Sequence, residues 1–450
     1  MRLSITLFVY ALSISTLFGQ WVTDNMSTGR HTLTSASYQG KIYIISGTNN
    51  ANSIAHNTVD VIDPVTTTLD TTITMPKGVG YAQAIAGDSA LYVAGGFRPS
   101  FNGVYSGTKY FQAYKNGTWT IDSTLASAVM SPGVIKVGSK IIIAGGLKQI
   151  SWNSSHVAET IFTDSVSIYD ESTGQWSFTT LSQPRGYIAV ATDGNIAMFA
   201  GGISGLNQTS KVIDIYNAST NTWSVDSLST ARGWASGAYV NGEFLFAGGV
   251  RGGTQHSTTI DIYDGSAWSI KYLSSARYCV QSVVVGDNIV FTGGGTMNLV
   301  NYNWLSVSDR VEIYNKATGI TSATILNVPR IVHTASAMGN TIVVAGGWNN
   351  GSELYTYESW KVAIGIPEQD NSRESLRVYP NPSNGSFTIR LPDIAFKGSL
   401  ELYSISGQLV YQQKVDYANE LELNLELEAG VYVMRLYSPN QNLTQRLILQ

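Results

Sequence analysis

The chain has 450 residues, more than one ordinary domain needs, so two or more domains are expected. Charged residues make up only 13% of it and the formal net charge is −4, so composition gives no sign of a nucleic-acid partner. The single cysteine, Cys279, excludes an internal disulfide and any metal site built from several cysteines.

The N-terminus has a basic start followed by the apolar run Ile5–Phe18. As a helix this run would span about 21 Å, which is short of the ~30 Å core of a bilayer. Residues 1–19 are therefore predicted to be a signal peptide, with a membrane anchor as the alternative. No later stretch is long and apolar enough to span a membrane, so we predict an exported protein with no transmembrane segment.

From Trp21 onward the dominant feature is a repeat in which an apolar run ends at a glycine pair or a near match. The second glycines are separated by 49, 50, 56, 47, 45 and 53 residues. They are Gly47, Gly96, Gly146, Gly202, Gly249, Gly294 and Gly347. An alternating run ending in tyrosine follows six of the pairs, and a tryptophan comes next in four repeats. Each unit thus contains four strand-like runs separated by turn residues.

This repeat resembles the kelch family of β-propellers, whose units are about 50 residues long. The resemblance covers the chain from about Trp21 to Trp360 and rests on its sevenfold recurrence. It implies an all-β fold with a seven-bladed kelch-type β-propeller over residues 20–363. Counts of six or eight blades fit the glycine pairs less well.

The closure of the ring can also be predicted from spacing. Trp176, Trp223 and Trp268 each lie nine residues before an arginine, and Trp21 lies nine before Arg30. Residues 21–26 therefore look like a fourth strand without its own first three. The last unit has three strands, so we expect the N-terminal strand to complete blade seven and leave no open edge.

The end of the chain loses the repeat. Residues 364–375 are rich in Gly, Pro and charged residues and are predicted to be a linker. Residues 376–450 alternate with period two, which predicts a small Ig-like antiparallel β-sandwich. Three segments, Tyr379–Pro382, Ser404–Gln408 and Leu427–Val433, resemble the C-terminal sorting domain of the type IX secretion system. An ordinary Ig-like adhesion module is the alternative.

That resemblance implies a protein of a Gram-negative bacterium, secreted or held at the cell surface, with the type IX secretion machinery as a partner. It also implies removal of the tail after export.

A candidate ligand site is predicted at the mouth of the propeller. Counting back 17 residues from the second glycines gives arginine in five repeats: Arg30, Arg185, Arg232, Arg277 and Arg330. Loops after the glycine pairs are expected on the same face, and they carry Trp152, Trp304 and Trp348. Guanidinium groups beside aromatic rings could bind carboxylates or sugars. The alternative is that each arginine only bonds backbone carbonyls between blades.

No catalytic residue, metal site or cofactor is predicted. The five histidines show no ligand-spaced pair, and Cys279 fits a small buried residue better than the cysteine of a copper oxidase. Residues 170–176 resemble the aspartate box of sialidases but fall in a turn, where a structural role is expected. The favoured function is a binding or adhesion module for an unidentified glycan or protein. The alternative is an enzyme that epimerises or rotates an acidic sugar such as sialic acid.

Overall fold

The computed structural model describes residues 21–49, 54–98, 104–122, 124–153, 156–252, 255–298, 303–362, 377–390, 397–404, 408–416, 420–438 and 441–450. The predicted signal peptide and linker lie outside these residues. The chain divides into two units, Met1–Ala363 and Ile364–Gln450, which are described separately. In the described ranges the regular elements are strands, and no helix there could cross a bilayer.

Seven four-stranded antiparallel sheets of similar strand order form the framework of the first unit. Sheet 1 has strands Thr34–Tyr38, Lys41–Ile45, Thr58–Ile62 and Leu69–Thr74. Sheet 2 has Gln83–Ala86, Leu91–Ala94, Phe111–Lys115 and Thr118–Asp122. Sheet 3 has Gly133–Val137, Lys140–Ala144, Ser165–Asp170 and Gln175–Thr180. Sheet 4 has Ala189–Thr192, Ile196–Ala200, Val212–Asn217 and Thr222–Ser227.

The remaining sheets repeat this order. Sheet 5 has Ser236–Val240, Glu243–Ala247, Thr259–Tyr263 and Trp268–Tyr272. Sheet 6 has Gln281–Val285, Asn288–Thr292, Arg310–Asn315 and Gly319–Ile325. Sheet 7 has Thr334–Met338, Thr341–Ala345, Thr356–Lys361 and, as its outermost strand, Val22–Asn25. The N-terminal strand pairs antiparallel with Thr356–Lys361. Closure of a propeller ring by this strand stays a prediction.

A hairpin follows the second strand of each sheet. The seven hairpins are Thr48–Asn49 with Ile54–Ala55, Phe97–Arg98 with Val104–Gly107, Leu147–Asn153 with His156–Phe162, Ile203–Gly205 with Gln208–Thr209, Val250–Gly252 with Gln255–His256, Gly295–Asn298 with Asn303–Val307, and Trp348–Asn349 with Ser352–Glu353. Hairpins 2 and 3 also pair with each other and form one four-stranded sheet.

Hydrophobic side chains pack between neighbouring sheets rather than in one central core. Seven clusters of buried residues each join two successive sheets. The cluster that contains Met26, Ile44 and Val343 joins sheet 7 to sheet 1. The predicted tyrosine–tryptophan pairs lie opposite each other on the third and fourth strands, with ring centroids 5.0 Å apart for Tyr169 and Trp176. Burial of such wide apolar faces is the main source of stability in this unit.

The glycine pairs bring successive sheets into close contact. Gly145 has a φ of +63°, and a Cβ there would lie 2.4 Å from the carbonyl oxygen of Arg185, in the segment before the next sheet. The amide of Gly146 donates to that same oxygen at 2.8 Å. The equivalent bond occurs at all seven junctions, and the last runs from Gly347 to the carbonyl of Arg30 in front of sheet 1.

The second unit consists of two antiparallel sheets. One contains Arg377–Tyr379, Ser386–Arg390 and Glu420–Asn424. The other contains Leu409–Asp416, Lys397–Ser404, Gly430–Ser438 and Gln441–Leu449. Buried side chains of both sheets, among them Ile389, Leu402 and Met434, share a single cluster, so the sheets pack face to face. The Ig-like classification of this pair of sheets stays a prediction.

Candidate functional site

The segments that lead into the innermost strands lie on the same face as the seven hairpins. In each sheet the lead-in segment forms a β-bridge with the first residue after the glycine pair, for example Gly186 with Ile203 and Gly233 with Val250. All seven sheets show this bridge, from His31 with Thr48 to Ile331 with Trp348. We call this side of the first unit the hairpin face.

A ring of seven equivalent residues lies at the centre of the hairpin face. These residues, called here the mouth ring, are Thr32, Tyr81, Ser131, Tyr187, Trp234, Cys279 and Val332. Each has a φ between 47° and 54°, a left-handed conformation that is rare for residues other than glycine. Six backbone hydrogen bonds of 2.8–3.2 Å join them in order, beginning with the amide of Thr32 and the carbonyl of Val332.

Aromatic side chains are concentrated on one part of this ring. The rings of Tyr187 and Trp234 have centroids 4.0 Å apart, and Tyr81 contacts Tyr187 edge-on at 5.9 Å. The series continues from Trp234 to Tyr278 at 5.6 Å and from Tyr81 to Phe97 at 5.9 Å. The three mouth-ring aromatics, Tyr81, Tyr187 and Trp234, are only partly buried, so solvent reaches this aromatic arc.

A cavity of about 260 Å³ lies inside the mouth ring and is lined by all seven lead-in segments. Below the aromatic arc, its wall contains the side chains two residues further along, including Gln83, Ser236, Gln281 and Thr334. The cavity thus has an aromatic rim and a wall of amides and hydroxyls. Groups of three or more metal-ligating side chains are absent from the described part of the chain.

The five predicted arginines are buried next to the mouth ring, each with at most 2% of its surface exposed. Every one forms an ion pair with a carboxylate on the third strand of the same sheet. The pairs are Arg30–Asp60 at 2.8 Å, Arg185–Asp214 at 2.6 Å, Arg232–Asp261 at 2.5 Å, Arg330–Glu358 at 2.6 Å, and Arg277–Glu312. Burial lowers the pKa of each guanidinium, and the paired carboxylate opposes that shift.

The arginines also donate hydrogen bonds to backbone carbonyls. Arg330 donates to the carbonyls of Gly346 at 3.0 Å and Thr356 at 3.1 Å. Its partner Glu358 accepts from the amides of Asn327 and Val328. The carboxylate therefore holds the segment before the inner strand, while the arginine satisfies carbonyls at the junction of strands.

Sheets 2 and 3 lack the arginine, and there an uncharged side chain of the third strand bonds the backbone of the segment before the inner strand. Val79 and Val129 occupy its position, and the third-strand residues opposite are Gln112 and Ser167. Gln112 accepts from the Lys77 amide at 2.9 Å and donates to its carbonyl. Ser167 accepts from the amide of Ala126 at 2.9 Å. Where no arginine is present, the residue opposite is neutral, so the two positions vary together across the repeats.

The predicted tryptophans lie on three different hairpins. Trp348 is partly buried beside the mouth ring, with its ring edge-on to His31 at a centroid distance of 5.6 Å. Trp152 and Trp304 lie on strands of hairpins 3 and 6, opposite Val157 and Met297; their side chains lie outside what the structure describes. The ligand-binding role of these tryptophans and of the five arginines stays a prediction.

The turn that resembles an aspartate box makes contacts within the protein. Asp170 accepts hydrogen bonds from the amide and hydroxyl of Ser172, which fix the turn. Glu171 accepts from the amides of Asp88 and Ser89 on sheet 2. These contacts tie sheet 3 to sheet 2 on the side away from the hairpins.

Sequence reasoning did not single out the aromatic arc. A usable signal was present, because the mouth-ring residues lie two positions after the arginine site in every repeat. The arginine site changes little between repeats, whereas this neighbouring position holds Thr, Tyr, Ser, Tyr, Trp, Cys and Val. A position that is equivalent in every repeat, but whose side chain differs from repeat to repeat, can give the protein specificity for a ligand.

His333 is buried beneath the ring between sheets 6 and 7. Burial and the neighbouring Arg330 and Arg277 hold its pKa well below the usual histidine range, and its Nε2 lies 3.2 Å from the hydroxyl of Thr292. The folded protein therefore keeps this imidazole neutral at pH values where the unfolded chain would protonate it.

Acidification from pH 7 to pH 5 is expected to destabilise the wild type more steeply than His333→Gln, whose amide can still bond Thr292. Only the unfolded chain binds the proton in this window, so stability falls as the pH drops below about 6.5. One such group contributes at most about 1.4 kcal/mol per pH unit. Urea unfolding at pH 7, 6 and 5 measures the two slopes, and equal slopes would contradict the assignment.

Comparison with known proteins identifies the tail. Residues 377–450 match the family model described as the secretion system C-terminal sorting domain. The protein carries a type IX sorting domain. It is therefore secreted or attached to the cell surface of a Gram-negative bacterium by the type IX secretion system. No curated protein matches this sequence.

The chain is also similar to a solved structure titled "Structure of YjhT". The TM-score is 0.51 and the sequence identity is 16%, over 67% of this chain and 99% of that chain. At this level of identity the likeness concerns the fold alone. It supports a propeller-like arrangement of the seven sheets described above.

Proposed function

We propose that residues 21–362 are a seven-bladed kelch-type β-propeller, closed by the N-terminal strand, whose hairpin face binds an extracellular glycan or protein. The accessible aromatic arc of Tyr81, Tyr187 and Trp234 beside an open cavity carries this proposal. Export supplies the setting, because a protein sent out of the cell meets its ligands there.

The closed ring is supported by contacts at every junction. The hydrogen bond from Gly347 to Arg30 and the hydrophobic cluster around Ile44 and Val343 repeat, between sheets 7 and 1, what is found between the other neighbours. Closure also explains why the N-terminal strand is the fourth strand of sheet 7. Without it, the third strand of that sheet would have an exposed edge.

The hairpin face is favoured over the rest of the surface because of its variable loops. Its seven hairpins differ in length and sequence, as binding loops on a rigid scaffold do. A cysteine introduced on this face can be labelled selectively. The single natural cysteine, Cys279, is buried in the mouth ring, and burial raises the pKa of its thiol, so it reacts poorly.

The enzymatic alternative lacks a specific observation in its favour. An epimerase of acidic sugars needs a cation for the carboxylate and an acid or base beside it. The five arginines near the mouth are already paired with carboxylates. Two acids of the hairpin face, Glu159 and Glu353, lie on hairpins 3 and 7 rather than among the cavity-lining residues. This function stays a prediction.

A blocking experiment tests the proposed face. Leu206 is exposed in hairpin 4, and Ala317 is exposed in a third-to-fourth-strand turn, at the opposite end of the strands. Leu206→Cys and Ala317→Cys, each coupled to a polyethylene glycol maleimide, are compared with the unlabelled protein on an array of glycans and bacterial and host surface proteins. We expect labelling at 206, and not at 317, to abolish the array signals. Signals that survive labelling at 206, or an array without any signal, would contradict the proposal.

A further inference from the structure

The mouth cavity differs from the surrounding surface in its chemistry. None of the described residues that line it is Asp, Glu, Lys or Arg. The one titratable nitrogen base among them, His333, is held neutral by burial. Transfer of an unpaired charge into such a site is strongly unfavourable, so the cavity disfavours an ionised ligand.

The aromatic residues occupy positions where bulky side chains are conformationally unfavourable. Tyr187 and Trp234 have φ values of +54° and +51°, a region that normally favours glycine. Such a conformation costs about 1–3 kcal/mol per residue and persists only where surrounding contacts impose it. Glycine would form the backbone hydrogen bonds of the mouth ring equally well. The backbone therefore does not explain the two large aromatic residues here, and their side chains must have a role of their own.

Polar groups suited to hydroxyl ligands lie directly below. Gln83 is exposed and Gln281 partly exposed, and each primary amide offers two donors and an acceptor. Ser236 and Ser282 form a hydroxyl pair at 2.7 Å on the neighbouring inner strands. A pyranose ring has an apolar C–H face and polar hydroxyl groups. The aromatic rings can pack against the first, and the neutral donors and acceptors below can bond the second.

We propose that the mouth cavity binds one uncharged saccharide ring, with its C–H face against Tyr187 and Trp234 and its hydroxyls bonded to Gln83, Gln281 and Ser236. The volume of about 260 Å³ lies below the 300–1,000 Å³ typical of sites for drug-sized ligands, which limits the occupant to a single ring or the end of a glycan. This inference rests on the proposed function, since it names the ligand class of the hairpin face.

Calorimetry on the full chain tests the ligand class directly. The probes are methyl β-D-galactopyranoside, methyl α-D-mannopyranoside and N-acetyl-D-glucosamine, with D-galacturonate as the charged counterpart. We expect at least one neutral probe to bind and galacturonate to bind at least tenfold more weakly. Tyr187→Ala with Trp234→Ala should weaken binding of the neutral probe at least tenfold, because aromatic anchors dominate such sites.

Two further variants separate binding from folding. Gln83→Ala alters an exposed side chain and should weaken the neutral probe about threefold to tenfold, the contribution of one hydrogen bond. Tyr272→Ala removes an aromatic ring that is 62% exposed on the outer strand of sheet 5 and should leave affinity unchanged.

Three results would overturn the inference: no neutral probe binds, galacturonate binds as well as the neutral probes, or affinity is indifferent to both the double variant and Gln83→Ala. Failure of the proposed function is a different outcome. If labelling at residue 206 still abolishes array signals while any of these three results is obtained, the face is correct and the saccharide assignment is wrong.

Discussion

Replacing Arg330 by alanine is expected to lower the free energy of unfolding by about 3–5 kcal/mol. The guanidinium is fully buried, pairs with Glu358 and donates to two backbone carbonyls. Its removal leaves a buried carboxylate without a cation. All ten tryptophans lie between residues 21 and 360, so urea unfolding followed by tryptophan fluorescence reports on the first unit alone.

The matched control for this prediction comes from sheet 2, where Val79 and Gln112 occupy the two positions without charge. Arg330→Val with Glu358→Gln copies that arrangement into sheet 7 and should be less destabilising than Arg330→Ala alone. Arg251→Ala, at an exposed site on hairpin 5, should change stability by no more than about 0.5 kcal/mol. A loss below about 1 kcal/mol for Arg330→Ala, with ligand binding abolished, would instead make the arginine a binding residue.

Deleting Trp21–Met26 is expected to have a still larger effect. Trp21 and Met26 are 3% and 5% exposed, and the Trp21 ring lies 5.5 Å from that of Trp360. Each buried side chain of this size contributes about 1.5–3 kcal/mol, and the deletion also removes the strand that covers Thr356–Lys361. The uncovered edge is a template for pairing with other chains, so we expect a lower melting temperature and aggregation.

Size-exclusion chromatography and thermal unfolding of the shortened protein measure these effects. Val22→Ala provides the control, because Val22 is on the same strand but 55% exposed, and it should leave both readouts unchanged. A monomer with an unchanged melting temperature after the deletion would refute closure by the N-terminal strand.

The repeat made much of the first unit predictable. Each close junction between sheets has a glycine pair or a near match, and four sheets have a tyrosine–tryptophan pair on their third and fourth strands. Both features recur from repeat to repeat in the sequence. The pairing of Val22–Asn25 followed from one spacing, Trp21 to Arg30, because cross-strand position and chain separation are tied within a repeat.

The site was harder to predict, because sequence spacing indicates on which side of the sheets a residue lies but not which groups its side chain contacts. Arg232 and Arg277 are near the mouth, yet their charged groups turn to Asp261 and Glu312 on the third strand. These carboxylates lie 29 and 35 residues further along the chain, and no local pattern links them to the arginines. The acidic partner became evident only once the register between second and third strands was known.

The aromatic arc was missed for a related reason. Tyr187 and Trp234 are 47 residues apart in sequence, yet their rings are in contact, and both residues have a left-handed backbone conformation. Conformation at a single φ cannot be deduced from a tyrosine or tryptophan, which rarely adopts it.

A crystal structure of the protein with the neutral saccharide that binds most tightly tests the central claim most directly. The account predicts one sugar ring inside the mouth ring, packed on Tyr187 and Trp234 and within hydrogen-bond distance of Gln83 or Gln281, with all five arginine–carboxylate pairs intact. A sugar bound on the opposite face, on the outer strands, or to a guanidinium released from its carboxylate would contradict it.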